Sequence, residues 1–270
     1  MELSPPPDAP PHDSFLDGRL KVWQPRHGYR AAIDPVLLAA SVPARPGQMA
    51  LELGCGVGTA LLCLGRRGPG LDLHGVEIQP DYADLARRNT AENAIPAVIH
   101  TADLRAQPAG LRAMTFDHVM MNPPFMQENS GRPASGRDRD TANREQDGLP
   151  LAAWIDAGLR RLRQGGRLVV IHRTDRLAEI LAAIGSRAGG IEILPLAPRE
   201  GRPATRLLLR ARKGSRTPLV LLPALTLHEG RSHLRDGDDY TEKARCILRH
   251  MSAIEYTDLL QNARSGGKDV

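Results

Sequence analysis

Met49-Ala50-Leu51-Glu52-Leu53-Gly54-Cys55-Gly56-Val57-Gly58-Thr59 is the stretch that decides how this chain folds. Met49 to Leu53 is apolar apart from Glu52 and reads as a buried strand. Gly54, Gly56 and Gly58 allow a tight turn, and apolar periodicity from Gly58 to Arg66 reads as a helix. The same alternation follows: Leu71 to Ile78 as strand, Pro80 to Asn93 as helix, then Ala97 to His100 and Phe116 to Met121 as strands. Strands apolar on both faces, alternating with helices, imply an α/β fold with a parallel sheet covered on both sides. Ligands of such sheets bind beyond the carboxyl ends of the strands. Glu52, Glu77, Asp103 and Asn122 fall at those ends, so they are expected to converge on one crevice.

The glycine turn has a definite chemistry. Missing side chains let a ligand approach the backbone and the helix N-terminus. The dinucleotide fingerprint is absent, because Thr59 and Leu61 stand where it needs glycine, and no Gly-Lys-Ser/Thr makes a phosphate loop. An acid just before the turn, Glu52, disfavours phosphate and favours a cation. Glu77, nineteen residues past Gly58, stands where a carboxylate can accept both hydroxyls of a ribose. A positively charged nucleoside fits, and S-adenosylmethionine, with its ammonium and sulfonium, is the cofactor expected.

A second motif lies about seventy residues on, in Phe116-Asp117-His118-Val119-Met120-Met121-Asn122-Pro123-Pro124-Phe125. The apolar run ends in two prolines, which cannot donate ladder hydrogen bonds and restrict the residues before them. In isolation this is equally a turn containing two prolines. Beside the glycine motif it becomes a rigid corner: the Asn122 amide and the carbonyls of Asn122 and Pro123 face one volume, which Phe125 closes with a flat wall. That suits a planar group bearing NH2, since stacking contributes roughly 1 to 3 kcal/mol per base.

The 270 residues suffice for one large domain, and 41% hydrophobic with 25% charged content is that of a globular chain. A net charge of +5 and pI near 9.4 permit nucleic-acid binding. Three cysteines without C-x-x-C spacing indicate neither a disulfide framework nor a zinc site, so no metal is expected. The N-terminus lacks the order of a signal peptide, and no run reaches the ~18 apolar residues of a membrane span, so a cytoplasmic protein is expected. Residues 1 to 14 are Pro-rich and read as a disordered tail, 15 to 250 as the domain, and 251 to 270 as a second tail.

Other segments bear on the site. Gly18 to Gln24 reads as a short strand or hairpin arm. Asp34 can cap a helix with Pro35 in its first position, or its segment, Gly28 to Ala40, can lie over a ligand in the site. Residues 126 to 148 form a polar stretch, either lid or disordered, with more acids than arginines. Leu151 to Arg163 reads as a helix ended by Gly165-Gly166. Arg167 to His172 is a strand, Arg176 to Gly185 a helix, and Ile191 to Leu196 with Thr205 to Ala211 a closing antiparallel hairpin. Arg199 to Arg216 is the most basic segment, either a solvated face or an RNA backbone track. Leu219 to Leu227 reads as an extended edge and Asp238 to His250 as a last helix. Cys55 suits packing in the turn better than nucleophilic chemistry, and His100, His172 and His228 read as structural.

Glu52-x-Gly54-x-Gly56-x-Gly58, Glu77, Asp103 and Asn122-Pro123-Pro124-Phe125 together resemble the class I S-adenosylmethionine-dependent methyltransferases. The Asn-Pro-Pro-Phe corner is similar to that of the branch methylating planar NH2 groups in adenine, cytosine or glutamine. Gly28 to Ala40, Leu225-Thr226-Leu227-His228 and Tyr240-Thr241 extend the resemblance, over residues 18 to 250, to the bacterial valine-tRNA adenine methyltransferase group. The resemblance implies a Rossmann-like, seven-stranded, mostly parallel sheet. It places Asp103 near the cofactor's adenine amine and makes Asn122, Pro123 and Phe125 catalytic. It implies an RNA partner, tRNA in particular. The alternatives are a glutamine methyltransferase acting on release factors and a non-catalytic RNA-associated protein. The release-factor enzymes carry a helical domain ahead of the cofactor motif, and the 51 residues before Glu52, read as partly disordered, argue against that alternative.

Overall fold

The computed structural model describes residues 11–124, 149–230 and 239–256. Phe125, the polar stretch 126–148 and most of both expected tails lie outside the described residues.

In chain order the elements are β1 (His12–Phe15), β2 (Leu20–Trp23), α1 (Ile33–Ala40), β3 (Met49–Leu53), α2 (Thr59–Arg67), β4 (Asp72–Glu77), α3 (Pro80–Glu92) and β5 (Val98–Thr101). They continue with α4 (Ala109–Ala113), β6 (Phe116–Met121), α5 (Leu151–Arg161), β7 (Leu162–Arg173), α6 (Leu177–Ile184), β8 (Ala188–Arg199), β9 (Arg206–Lys213), β10 (Val220–Leu221), β11 (Leu225–His228) and α7 (Glu242–His250).

Seven strands form the body of one sheet in the order β8-β9-β7-β6-β3-β4-β5. Neighbours from β7 through β6, β3 and β4 to β5 run parallel, while β9 is antiparallel to both β7 and β8. The Rossmann-like, mostly parallel sheet with a C-terminal antiparallel hairpin is therefore present. Two short strands go beyond the expected seven, because β10 and β11 both pair parallel along the free side of β8.

Alternation along the strands shows why helices cover both faces. Ala50, Met120, Val169, Ile171 and Leu208 enter one buried cluster, with residues of α1, α2, α3 and α7. Leu51, Leu53, Val119, Met121, Leu168, Val170, Leu207 and Leu209 enter the other, with residues of α4, α5 and α6. A central strand with both faces buried must be apolar at consecutive positions.

Several boundaries differ from the sequence reading. Residues 12–14, expected in the N-terminal tail, belong instead to β1, paired antiparallel to β2. The hairpin is held to α3 by Asn89 and Asn93: their Oδ1 atoms accept the backbone N–H groups of Trp23 (2.8 Å) and Lys21 (3.0 Å). At the other end the chain packs past residue 250. The Ile254 amide donates to the Ala40 carbonyl at 2.9 Å, and Tyr256 is buried, 2.7 Å from the Ser41 hydroxyl. Gly165 and Gly166 do not end a helix; α5 gives way to β7 at Leu162, and the glycines lie within that strand beside the register shift between Phe116 and His118. Gly165, at φ +75°, takes a backbone conformation that marks a bulge. Among the described residues no helix is long and apolar enough to cross a membrane.

Candidate active site

Strand register brings the two motifs to one edge. Leu53 at the end of β3 pairs with Met121 at the end of β6 and with Val76 on β4. One residue later, Gly54 and Asn122 leave neighbouring strands, which lie about 4.8 Å apart. Glu77 ends β4 on the other side of β3.

The turn is built on positive φ: Gly54 at +67°, Gly56 at +53° and Gly58 at +83°. At Gly54 space adds a second demand, since a Cβ there would meet the Trp154 ring at 2.6 Å. A Cβ on Gly56 would meet nothing within 4 Å, so the open space lies over the middle of the turn. The Gly56 amide donates to Glu77 Oε2 at 2.8 Å, and Glu77 Oε1 accepts from the Gln79 amide at 2.9 Å.

Glu52 lies beneath the start of α2, 4% exposed, with Oε2 accepting the Leu61 amide at 3.2 Å. Burial raises its pKa well above the carboxylate range; the Leu61 bond opposes this and the nearby Glu77 reinforces it. Burial also raises Glu77, against its backbone hydrogen bonds. Among the described residues neither makes an ion pair. Two buried carboxylates without a basic partner suit a cation.

Gly54, Glu77, Ile78, Asp103, Leu149 and Trp154 line a cleft of about 480 Å3. Ile78 is apolar yet 40% exposed, and so offers a wall for a planar ring. Of the four residues expected to converge here, Glu77 and Asp103 line the cleft and Glu52 and Asn122 do not; the Asp103 carboxylate is held by Arg105, whose Nη2 lies at 2.6 Å and whose amide donates at 2.7 Å. The Arg105 hydrogen bond holds the Asp103 pKa low.

Asn122 does not line this cleft. Its Oδ1 is buried and has no hydrogen-bond partner among the described residues. Such an atom incurs a desolvation cost of about 1 to 3 kcal/mol until something donates to it.

Residues 32–137 match the family model of the methyltransferase small domain. The chain is 31% identical over 178 residues to the tRNA1(Val) (adenine(37)-N6)-methyltransferase of Porphyromonas gingivalis, covering 63% of this chain and 69% of that protein. It belongs to the S-adenosylmethionine-dependent methyltransferase family. A crystal structure of a predicted O-methyltransferase from Agrobacterium tumefaciens is 30% identical, with TM-score 0.66 over 82% of this chain and 98% of that one. The fold is shared with a T. thermophilus 16S rRNA N2 G1207 methyltransferase in complex with AdoMet and guanosine, at 20% identity and TM-score 0.52 over 79% of this chain and 53% of that one.

The methyltransferase's residues fit its cofactor on three counts: the unfilled space over Gly56, the buried carboxyl groups of Glu52 and Glu77 with no basic partner among the described residues, and the apolar wall of Ile78 beside Asp103. Asp34 is placed differently from its expected capping role. Helix α1 starts at Ile33, Asp34 makes no cap bond, and its Oδ2 meets Arg206 Nε at 3.2 Å. Burial, and then the charges of Asp34 and Glu52, push the Tyr29 hydroxyl up to about 12.

The basic segment Arg199 to Arg216 is neither one solvated face nor one continuous track. Arg210 is 6% exposed, 3.3 Å from Glu192 and stacked on the Tyr256 ring; Arg199 pairs with Asp239; Lys213 donates to the Leu162 carbonyl at 2.7 Å. Cys55 is buried and its thiol pKa is raised well above the ordinary value by burial, which agrees with packing. His228 lies 2.5 Å from Asp239 and stacks on Tyr240, while Thr241 caps α7 and donates to the Thr226 carbonyl. Trp154 and Arg105 were missed by sequence reasoning, because neither falls in a motif.

Proposed function

We propose that this methyltransferase transfers a methyl group to the exocyclic amine of adenine in RNA, with tRNA as the substrate and the cytoplasm as its compartment. The observation that carries this reading is the buried Oδ1 of Asn122, which has no partner among the described residues and lies one strand away from Gly54 at the same sheet edge.

When bound, S-adenosylmethionine supplies an electrophilic methyl carbon on a sulfonium leaving group. Gly54, Gly56 and Gly58 would admit it to the backbone, Glu52 would offset its positive charge, Glu77 would accept from its ribose, Asp103 would stand at its adenine, and Asp34, tied to Arg206, would lie over it with its segment. The target base leaves its stack, as in other base-modifying enzymes. Asn122 Oδ1 accepts one amino hydrogen, the Pro123 carbonyl accepts the other, and Phe125 stacks on the ring. These bonds turn the nitrogen lone pair toward the methyl carbon, so Asn122 acts by orientation and by placing its dipole where positive charge develops. The relative from Porphyromonas and the net charge of +5 support RNA as substrate.

The test offers radiolabelled cofactor in parallel to unmodified total tRNA, release factor and DNA. Label is expected in tRNA alone. Asn122→Ala is expected to lower turnover on the order of 100-fold while leaving cofactor affinity within about twofold. Full activity in that variant would remove the mechanism. Label in release factor would select the glutamine methyltransferase reading, and no label anywhere the non-catalytic one.

A further inference from the structure

Beside the cofactor cleft, and sharing Leu104, Arg105 and Leu149 with it, runs a second groove of about 620 Å3 between α4 and α5. Its walls carry Arg105, Arg112, Arg160 and Arg161 against one acid, Asp156. That acid is already shared, with Arg160 Nε at 2.8 Å and Arg187 Nη1 at 2.6 Å. Arg105 is taken up by Asp103. Arg112 is exposed and makes no ion pair or side-chain hydrogen bond among the described residues. Arg161 is anchored through Nη1 on the carbonyls of Leu111 and Arg112, which fixes its guanidinium in the wall.

Four guanidiniums therefore line one concave surface with a single carboxylate, Asp156, while Asp103 offsets Arg105 from the adjoining cleft. Burial, and then the charges of Arg112 and Arg160, lower the pKa of Arg161, so these cations already repel one another and an anion between them would relieve the repulsion. Ala153, Asp156, Ala157 and Arg160 face the groove at helical spacing, which gives it a length of about 10 Å along α5. A groove of that length takes a strand carrying several phosphates better than a single ion.

We propose that this arginine groove binds the phosphodiester backbone of the RNA substrate, beside the cofactor cleft. The proposal rests on the reading of RNA as substrate and adds the surface that holds it. Phosphate contacts of this kind fix register and orientation and carry no base information.

The experiment compares wild type with Arg112→Gln/Arg160→Gln in binding an unmodified tRNA transcript across a salt series. Cofactor affinity and Tm serve as controls, since both arginines lie outside the cofactor cleft. Each lost phosphate contact flattens the slope of log K against log salt by about one. The double variant is expected to bind at least about tenfold more weakly near 0.1 M salt, with a slope shallower by about two, and to raise KM more than it lowers kcat. Unchanged affinity and slope would overturn the groove while leaving the function standing. So would a variant that loses affinity for inorganic tripolyphosphate but binds tRNA like wild type. Wild-type protein that neither binds nor methylates RNA would overturn the underlying reading instead.

Discussion

Glu77 Oε2 accepts the Gly56 amide hydrogen at 2.8 Å, so the carboxylate ending β4 holds the turn that follows β3. Glu77→Ala is expected to free this turn and remove the ribose acceptor together, raising the cofactor Kd by about tenfold or more, as the loss of charged hydrogen bonds implies. Titration calorimetry checks this. Glu77→Gln, which keeps one acceptor oxygen, should fall between the two. Wild-type affinity in Glu77→Ala would show that the acid takes no part in binding.

Glu52 gives a pH prediction. Its folded pKa is raised above the unfolded value, so the folded state holds the proton more tightly. The contribution to stability is complete below about pH 4.5 and is lost as pH rises through the folded value. Glu52→Gln, which can still accept from the Leu61 amide, should match wild type near pH 4 and exceed it at pH 7 to 8 in the cofactor-free protein. Its cofactor affinity should fall, because the countercharge is gone. Paired Tm measurements across pH, with and without cofactor, test both halves. A variant less stable than wild type at pH 8 would contradict the first.

Trp154 presses on Gly54 closely enough that Gly54→Ala must move the ring or the turn. Overpacking and the left-handed φ together are expected to cost about 2 kcal/mol or more. Trp154→Leu should lose stability alone yet partly rescue Gly54→Ala, so that the two changes are less than additive. The chain has two tryptophans. In Trp23→Phe the remaining Trp154 emission should change on adding cofactor, and no change would separate the ring from the binding cleft.

Tyr256 anchors the chain after α7, with its hydroxyl 2.7 Å from Ser41 Oγ and its ring beneath Arg210. Tyr256→Phe should cost about 1 kcal/mol, for one buried hydroxyl left without its partner. A stop after His250 removes the buried Ile254 and Tyr256 side chains and should cost about 3 to 6 kcal/mol at most. Urea denaturation measures both. A truncated protein as stable as the full chain would show that residues 251–256 are a tail after all.

Strand β6 was legible to the residue, Phe116 to Met121, because the run is largely apolar on both faces and two prolines stop it. The stop of the helix after it was not: the sequence reads it as Leu151 to Arg163 ended by Gly165-Gly166, whereas it ends at Arg161 and those glycines serve a bulge in β7. Glycine permits a positive φ in either setting, and only the partner strand decides which one it serves. The same holds for Asp34, whose place in the first turn of α1 was visible, while Arg206, 172 residues away, could not be seen to claim it.

From the sequence alone came the alternation of strands and helices, the glycine turn, Glu52 and Glu77 at strand ends, and the Asn122 corner. Each is a local pattern of periodicity or backbone restriction, which neighbouring residues impose on one another. Tertiary structure alone decided that Trp154 closes on Gly54, that Arg105 takes Asp103, that Tyr256 lies under Arg210, and which arginines are buried and which line the groove between α4 and α5. Those outcomes depend on register and on helix placement across the sheet, and a guanidinium destined for the interior has the same chain-local chemistry as one facing water.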